Sequence, residues 1–212
     1  MSKESLVNRM LSAEANVDNY TIRRASFSTP EWEAITMACS TLSNTRIYID
    51  DTPSTTTTDM KAKLRRLDNP KIVIIDYLQL IECDKYSDNK VLQVAEITRS
   101  LKLIAKEMKI PIILCSQLSR PNKNVKEKRP MLSDLRDSGA IEQDADIVML
   151  LYRDDYYDNS GNADQDPTKQ QEIECIIGKN RHGATGTVKF AWHGQYFKYV
   201  AIEEGHDEPA GH

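Results

Sequence analysis

The chain has 212 residues, enough for one sizeable domain and short for two. Hydrophobic residues make up 40% and charged residues 28%, a globular balance that excludes collagen-like, mucin-like and wholly disordered classes. The formal net charge is −4, from 28 basic and 32 acidic residues, so any nucleic-acid site has to be a local basic patch.

In chain order, Leu6, Met10, Leu11 and Ala15 fall near helical spacing and predict a helix over residues 3–16. Thr29-Pro30-Glu31 reads as a cap followed by a proline in the first turn of a helix carrying Trp32, Ile35, Ala38 and Leu42. Residues 46–50 (RIYID) predict a short strand, and Thr58 or Asp59 caps a helix reaching Leu67. Ile72–Ile75 is a strand ending at Asp76. Asn89 to Met108 is the clearest helix, with Val94, Ile97, Leu101, Ile104, Ala105 and Met108 on one face. Further strands are expected over 110–115, ending in Ser116-Gln117, and over 147–151, ending in Tyr152-Arg153-Asp154.

The strands are continuous aliphatic runs alternating with helices, which predicts a parallel sheet covered on both faces. Ligands of such sheets bind beyond the carboxyl ends of the strands. Those ends carry Asp50-Asp51, Asp76, Ser116-Gln117 and Arg153-Asp154. Farther on, a strand is expected over 172–177. Residues 187–192 and 195–200 read as a hairpin turning at His193-Gly194. Residues 154–166 read as a surface loop and 203–212 as a polar tail, leaving 1–202 as one domain.

No apolar run approaches the about 20 residues that span a bilayer, and the first ten residues lack the apolar core of a secretory signal. Cys39, Cys83, Cys115 and Cys175 are widely spaced with no CxxC pair, against a zinc site or a disulfide framework. Reduced thiols in a cytoplasmic protein are expected, with Cys115 a small core residue.

Five places can carry chemistry, each with a plainer alternative. Asp76 suits a magnesium contact, or simply caps the next segment. Gln117 can sense a terminal phosphate, or be a polar strand end. Arg120, Lys123, Lys126, Lys128 and Arg129 can follow a phosphate backbone, or be a solvated charge run. Arg136 beside Gly139, a residue free to take unusual dihedrals, can bind phosphates, or the stretch is a helix entry capped by Ser138. Lys179 and Arg181 precede a turn bounded by Gly183 and Gly186; Arg181 can stabilise phosphoryl charge, or the turn is merely basic.

Together, IYIDDTP (47–53), IVIIDYLQLI (72–81), PIILCSQLSR (111–120), RPMLSDLRDSGAIEQDADIVMLLYRDDYY (129–157) and KNRHGATGTVKF (179–190) closely resemble the C-terminal ATPase domain of DnaB-type replicative DNA helicases. The stretches run in family order across nearly the whole chain. The resemblance implies a RecA-like α/β fold, a hexameric ring, and ATP-driven 5′-to-3′ travel along single-stranded DNA with Mg2+. It also implies primase and helicase-loader partners. Asp76 matches the Walker B aspartate that organises magnesium. Gln117 matches the glutamine that reports γ-phosphate state. Arg136, Asp137 and Gly139 match the loop touching the DNA backbone, and Lys179 and Arg181 the cations offered to the neighbouring subunit's ATP. Arg9 falls where the family has an arginine close to the nucleotide.

One departure is large. The family has a P-loop, GxxxxGK[ST], whose glycines let backbone N–H groups wrap the phosphates. No stretch here fits. The first of the 8 glycines is Gly139, and Gly178-Lys179 is followed by Asn180. The family's water-activating glutamate aligns just before Met1. A fragment is therefore expected, with the central P-loop strand missing and its neighbours left with open apolar edges. In that reading the chain is a helicase motor segment that is inactive alone. The alternatives are a non-catalytic relative that binds DNA or helicase subunits and modulates ring assembly, and another RecA-like ATPase. An in-frame P-loop encoded upstream of codon 1 distinguishes the first two.

Overall fold

The computed structural model describes residues 2–83, 85–86, 89–118, 129–153 and 171–202. They cluster into two units. The first comprises Met1–Asp51, Leu151–Cys175 and Thr187–His212; the second comprises Thr52–Leu150 and Ile176–Gly186. The surface loop expected at 154–166, the tail from 203 and the cations Arg120, Lys123, Lys126 and Lys128 lie outside the described residues.

In the first unit, α1 (Lys3–Ala15) starts at Ser2, whose hydroxyl accepts the Ser5 N–H at 3.3 Å, and stops at left-handed Asn16. The six-residue α2 (Asn19–Arg24) is capped by the Asp18 carboxylate, which takes the Tyr20 N–H at 2.6 Å. α3 (Thr29–Ser43) packs against α1 and buries Ile35 and Ala38. Its cap is Ser28, one residue before the expected one, because Ser28 and Glu31 close a capping box. Trp32 faces outward and rests on Phe27, with ring centroids 5.7 Å apart. Residues 46–50 form no strand. They leave α3 through a tight turn in which the Ile47 N–H donates to the Thr45 carbonyl, and Ile47 and Tyr48 stay exposed. A strand needs a ladder partner, and extended propensity alone supplies none.

The second unit holds the parallel elements. β1 (Thr55–Thr56) pairs with β3 (Ile81–Glu82). β2 (Val73–Ile75) pairs with β4 (Ile112–Leu114), Val73 opposite Ile112 and Ile75 opposite Leu114. α4 (Thr57–Leu64) is opened by a Thr56–Asp59 capping box. α5 (Lys90–Met108) begins at Asn89, which accepts the Leu92 N–H at 3.1 Å. Its apolar face supplies Ile97, Leu101 and Ile104 to a core completed by Leu78 and Ile81.

After a 3-10 segment over 132–138 come α6 (Gly139–Asp144), β5 (Ile147–Tyr152), β6 (Gln171–Asn180), β7 (Gly186–His193) and β8 (Lys198–Ala201). The sheet order is β5–β6–β7–β8. β7 and β8 pair antiparallel, His193 opposite Lys198. The hairpin loop is 194–197, two residues longer than the sequence suggests, because a 3-10 turn over 194–196 and left-handed Phe197 complete it.

The fold is α/β with parallel pairing, but the aliphatic strands are not covered on both faces. β5 alternates, Val148 and Leu150 inward and Ile147 and Met149 outward. Ile74 is 63% exposed, and Ile113 is exposed beside it on β4. Among the described residues, β2 and β4 pair only with each other, and β5 stands at the edge of a different sheet. Among the described residues, no element covers those outer side chains.

Candidate functional site

The β2–β4 register brings two expected site residues to one edge. Ile75 is the last residue of β2 and Leu114 the last of β4, so Asp76 and Cys115 leave the pair side by side. Backbone bonds continue the ladder past the strand ends: the Cys115 N–H donates to the Ile75 carbonyl and the Leu78 N–H to the Cys115 carbonyl, both at 2.9 Å. Leu78 is then buried in the α5 core, which pins the segment immediately after Asp76. The Asp76 carboxylate itself is exposed and takes no hydrogen bond or ion pair from the described residues. Gln117 follows two residues beyond Cys115 and is also exposed.

Cys115 is not a core residue. It is exposed, because the side of β4 it extends is the uncovered one. Its sulfur is still partly sheltered, and that burial, followed by the negative charge of Asp76, pushes the thiol above its ordinary range. All four cysteines are free thiols.

Lys179 and Arg181 form a second group, at the end of β6. The Arg181 N–H donates to the Asp146 carbonyl at 2.8 Å. Its guanidinium donates to the Asp146 carboxylate at 3.3 Å and to the Gln143 carbonyl at 3.0 Å. Lys179 donates its ammonium to the Glu142 carbonyl. The Gln143 and Glu142 carbonyls belong to the last turn of α6, where the helix leaves its C=O groups without intrahelical partners and cations are favoured. Lys102, from α5, is ion-paired to the same Asp146. The Lys102 hydrogen bond, then the charges of Lys102, Arg181 and His182, hold the Asp146 carboxyl below the usual carboxylate range.

Two residues shape the turn after β6. The Asn180 side chain spans it, donating to the Ala184 carbonyl at 3.1 Å and accepting the His182 N–H at 3.3 Å. Gly183 packs on that amide so closely that a Cβ would lie 2.7 Å from Asn180 Nδ2. One residue before Lys179, Gly178 lets the 132–138 segment approach: a Cβ there would lie 3.1 Å from Leu132 Cδ2.

The remaining expected residues fall elsewhere. Arg9, on α1, places its guanidinium 4.7 Å from the centroid of the Phe197 ring, a cation–π stack within the first unit. Arg136 and Asp137 have side chains outside the described residues. Gly139, free to take unusual dihedrals, does not use that freedom. It sits at φ −49° and ψ −24°, in ordinary helical space, and an added Cβ would meet nothing within 4 Å. It simply opens α6.

Sequence reasoning missed Lys102, Asp146 and Gly178. Lys102 was visible only as a polar position on α5. Asp146 is the acid immediately before an aliphatic strand, the mirror image of the Asp76 signal. Among the described residues, no group of three or more His, Cys, Asp or Glu could hold a metal ion, and no helix is long and apolar enough to cross a membrane.

Comparison with known proteins is consistent across sequence and structure. The chain is 46% identical over 212 residues to the replicative DNA helicase DnaB of Geobacillus stearothermophilus, covering 98% of this chain and 45% of that protein. It is 45% identical to the replicative DNA helicase DnaC of Bacillus subtilis, again covering 98% of this chain and 45% of the relative. It therefore spans about half the length of the curated relatives it matches. Among solved structures, one described as an ATPase domain superposes with a TM-score of 0.84 at 37% identity, over 96% of this chain and 72% of that one. A DnaB-like replicative helicase, described with its interactions with primase, superposes with the same TM-score and identity over 96% of this chain and 50% of that one. The model of the DnaB-like helicase C-terminal domain matches residues 1–201. The chain belongs to the DnaB-like helicase C-terminal domain family.

Proposed function

We propose that this chain is the motor segment of a replicative DNA helicase, working in a hexameric ring that hydrolyses ATP with Mg2+ and travels 5′ to 3′ on single-stranded DNA in the cytoplasm. The observation that carries this reading is the β2–β4 edge, where Asp76 stands exposed and unneutralised at a strand end. A hard carboxylate oxygen in that place suits magnesium, which keeps several waters and takes one or two carboxylates besides phosphate oxygens. Gln117, at the same edge, is suited to report the state of the terminal phosphate towards DNA. Arg9 is the arginine beside the nucleotide. Lys179 and Arg181 supply charge to the ATP of a neighbouring subunit, where an arginine is worth roughly three to five orders of magnitude in turnover. Arg136, Asp137 and Gly139 lie along the DNA backbone. Primase and a helicase loader are the protein partners.

Asp76 offers magnesium one carboxylate, with the rest of the metal's shell left to phosphate oxygens and water. The sequence holds no GxxxxGK[ST] stretch, so a phosphate cradle and its lysine have to come from a further polypeptide segment. The chain by itself should show no measurable ATP hydrolysis; turnover that disappears on Asp76→Ala would overturn this. The positive test places residues 1–202 into the matching region of the G. stearothermophilus relative. ATP turnover is expected in that chimera, and Arg181→Ala should abolish it while leaving nucleotide affinity nearly unchanged. Weakened binding as the main effect of Arg181→Ala would give that residue a different role.

A further inference from the structure

The second unit contains a charged junction that neither the sequence motifs nor the family match assigns. We propose that Asp146 is the positioning residue for Arg181, fixing the direction in which the guanidinium is presented. This rests on the reading of Arg181 as a phosphate-facing cation. Each oxygen of Asp146 has a separate partner. Oδ2 takes the ammonium of Lys102, Oδ1 takes Arg181 Nη1 at 3.3 Å, and the backbone carbonyl takes the Arg181 N–H at 2.8 Å. The Gln143 carbonyl takes Nη2 at 3.0 Å. Both terminal nitrogens of the guanidinium are thereby held, by Gln143 in α6 and Asp146 just beyond it, and rotation of the planar group is restricted from two sides.

The division of labour is specific. The backbone bond, with the Asn180 bridge, sets the path of the turn. The carboxylate sets the guanidinium. Lys102 anchors the carboxylate to α5, the helix that also buries Leu78 behind Asp76. The groups facing Asp146 are Lys102 from α5 and Arg181 and His182 from the turn, so the carboxylate sits between two fixed cations, Lys102 and Arg181. Lys102 and Arg181 against the one Asp146 carboxylate leave this ion-pair triad with a single positive charge. An arginine acting on a phosphoryl group has to arrive already oriented, because freedom left in the side chain is paid back in the transition state.

The test uses the full 212-residue chain labelled at arginine, with Arg181 assigned by the Arg181→Ala spectrum. In the native chain, NMR should resolve the Nη1 and Nη2 groups of Arg181 through slow rotation about the Nε–Cζ bond. Asp146→Asn keeps the size, shape and backbone carbonyl of the residue, and its half-exposed side chain tolerates the change. It should merge the two signals, and Asp146→Glu should separate them again. Signals still resolved in Asp146→Asn would overturn the proposal.

The catalytic consequence is read in the chimera. Asp146→Asn should lower kcat about tenfold with KM for ATP within about twofold, and Asp146→Glu should restore most of kcat, as expected for orientation and not binding. If Arg181→Ala abolishes turnover while Asp146→Asn leaves kcat intact, the positioning role fails and the reading of Arg181 stands. If Arg181→Ala leaves turnover intact, the reading of Arg181 fails and takes the catalytic part of the positioning role with it.

Discussion

Leu78→Ala is the sharpest test of how the edge carrying Asp76 is supported. Leu78 is 2% exposed, two residues after Asp76, and packs with Ile81, Ile97, Leu101 and Ile104. Truncation removes three buried carbons. At about 0.8 kcal/mol each the transfer loss is about 2.4 kcal/mol, and a partly unrelaxed cavity brings the total to about 3 kcal/mol, inside the range of about 2–5 for such sites. With a urea slope of about 2 kcal/mol per molar, the unfolding midpoint should fall by about 1.5 M. NMR amide signals of α5, followed through the urea series, are the assay, because they read its 19 residues alone. Both tryptophans, Trp32 and Trp192, lie in the other unit and report on it instead. Leu80 is the control. It is on the same 3-10 turn but 48% exposed, so Leu80→Ala should move the midpoint by less than about 0.5 M. Equal shifts for the two variants would mean that burial of Leu78 does not hold this edge.

Further expectations follow from other contacts. Asp76→Asn should speed alkylation of Cys115 about two- to threefold near pH 8, read by mass spectrometry peptide by peptide. The neighbouring negative charge raises that thiol but burial raises it more, so most of the suppression should remain. An unchanged rate would mean that the two side chains do not face one another. Gly183→Ala should displace the Asn180 amide and cost about 1–2 kcal/mol through the bonds it makes to Ala184 and His182; unchanged amide exchange at His182 would argue against it. The Asp146 carboxyl has its pKa lowered in the folded chain, so its ion pairs stabilise above the unfolded value of about 4 and are lost as pH falls through the lower folded value. Asp146→Asn should therefore lose stability less steeply in acid, as urea midpoints at stepped pH would show. In the chimera, Arg136→Ala should weaken single-stranded DNA binding at all sequences and reduce the salt slope by about 1; an unchanged slope would remove Arg136 from the DNA contact.

Much of the architecture was readable from the residues because the long elements carry redundant signals. The α5 helix has a capping asparagine, an apolar stripe and a charged opposite face, and its structural bounds are Lys90–Met108 against an expected 89–108. The strand at 73–75 and its terminal Asp76 were equally legible. The failures share a cause. Residues 46–50 have strand-like composition but no ladder, and Cys115 and Ile74 have core-like chemistry but no cover. Local propensity describes what a segment can do, whereas pairing and burial depend on what lies next to it. At Gly139 the backbone is plain helix, so the conformational freedom of glycine is not used there. Asp146 was invisible because its meaning comes from Lys102, 44 residues earlier, and Arg181, 35 residues later.

The most direct test of the central claim, that Asp76 and Arg181 serve two different nucleotide sites across a subunit boundary, is a mixed-ring assay in the chimera. Rings made only of Asp76→Ala subunits, or only of Arg181→Ala subunits, should be inactive. In an equal mixture, about one interface in four pairs an intact Asp76 with an intact Arg181 from the neighbour. DNA-stimulated ATP turnover should then reappear and rise to a maximum near equal proportions. A mixture as inactive as its two components would contradict the account, placing both residues at one site within a single subunit.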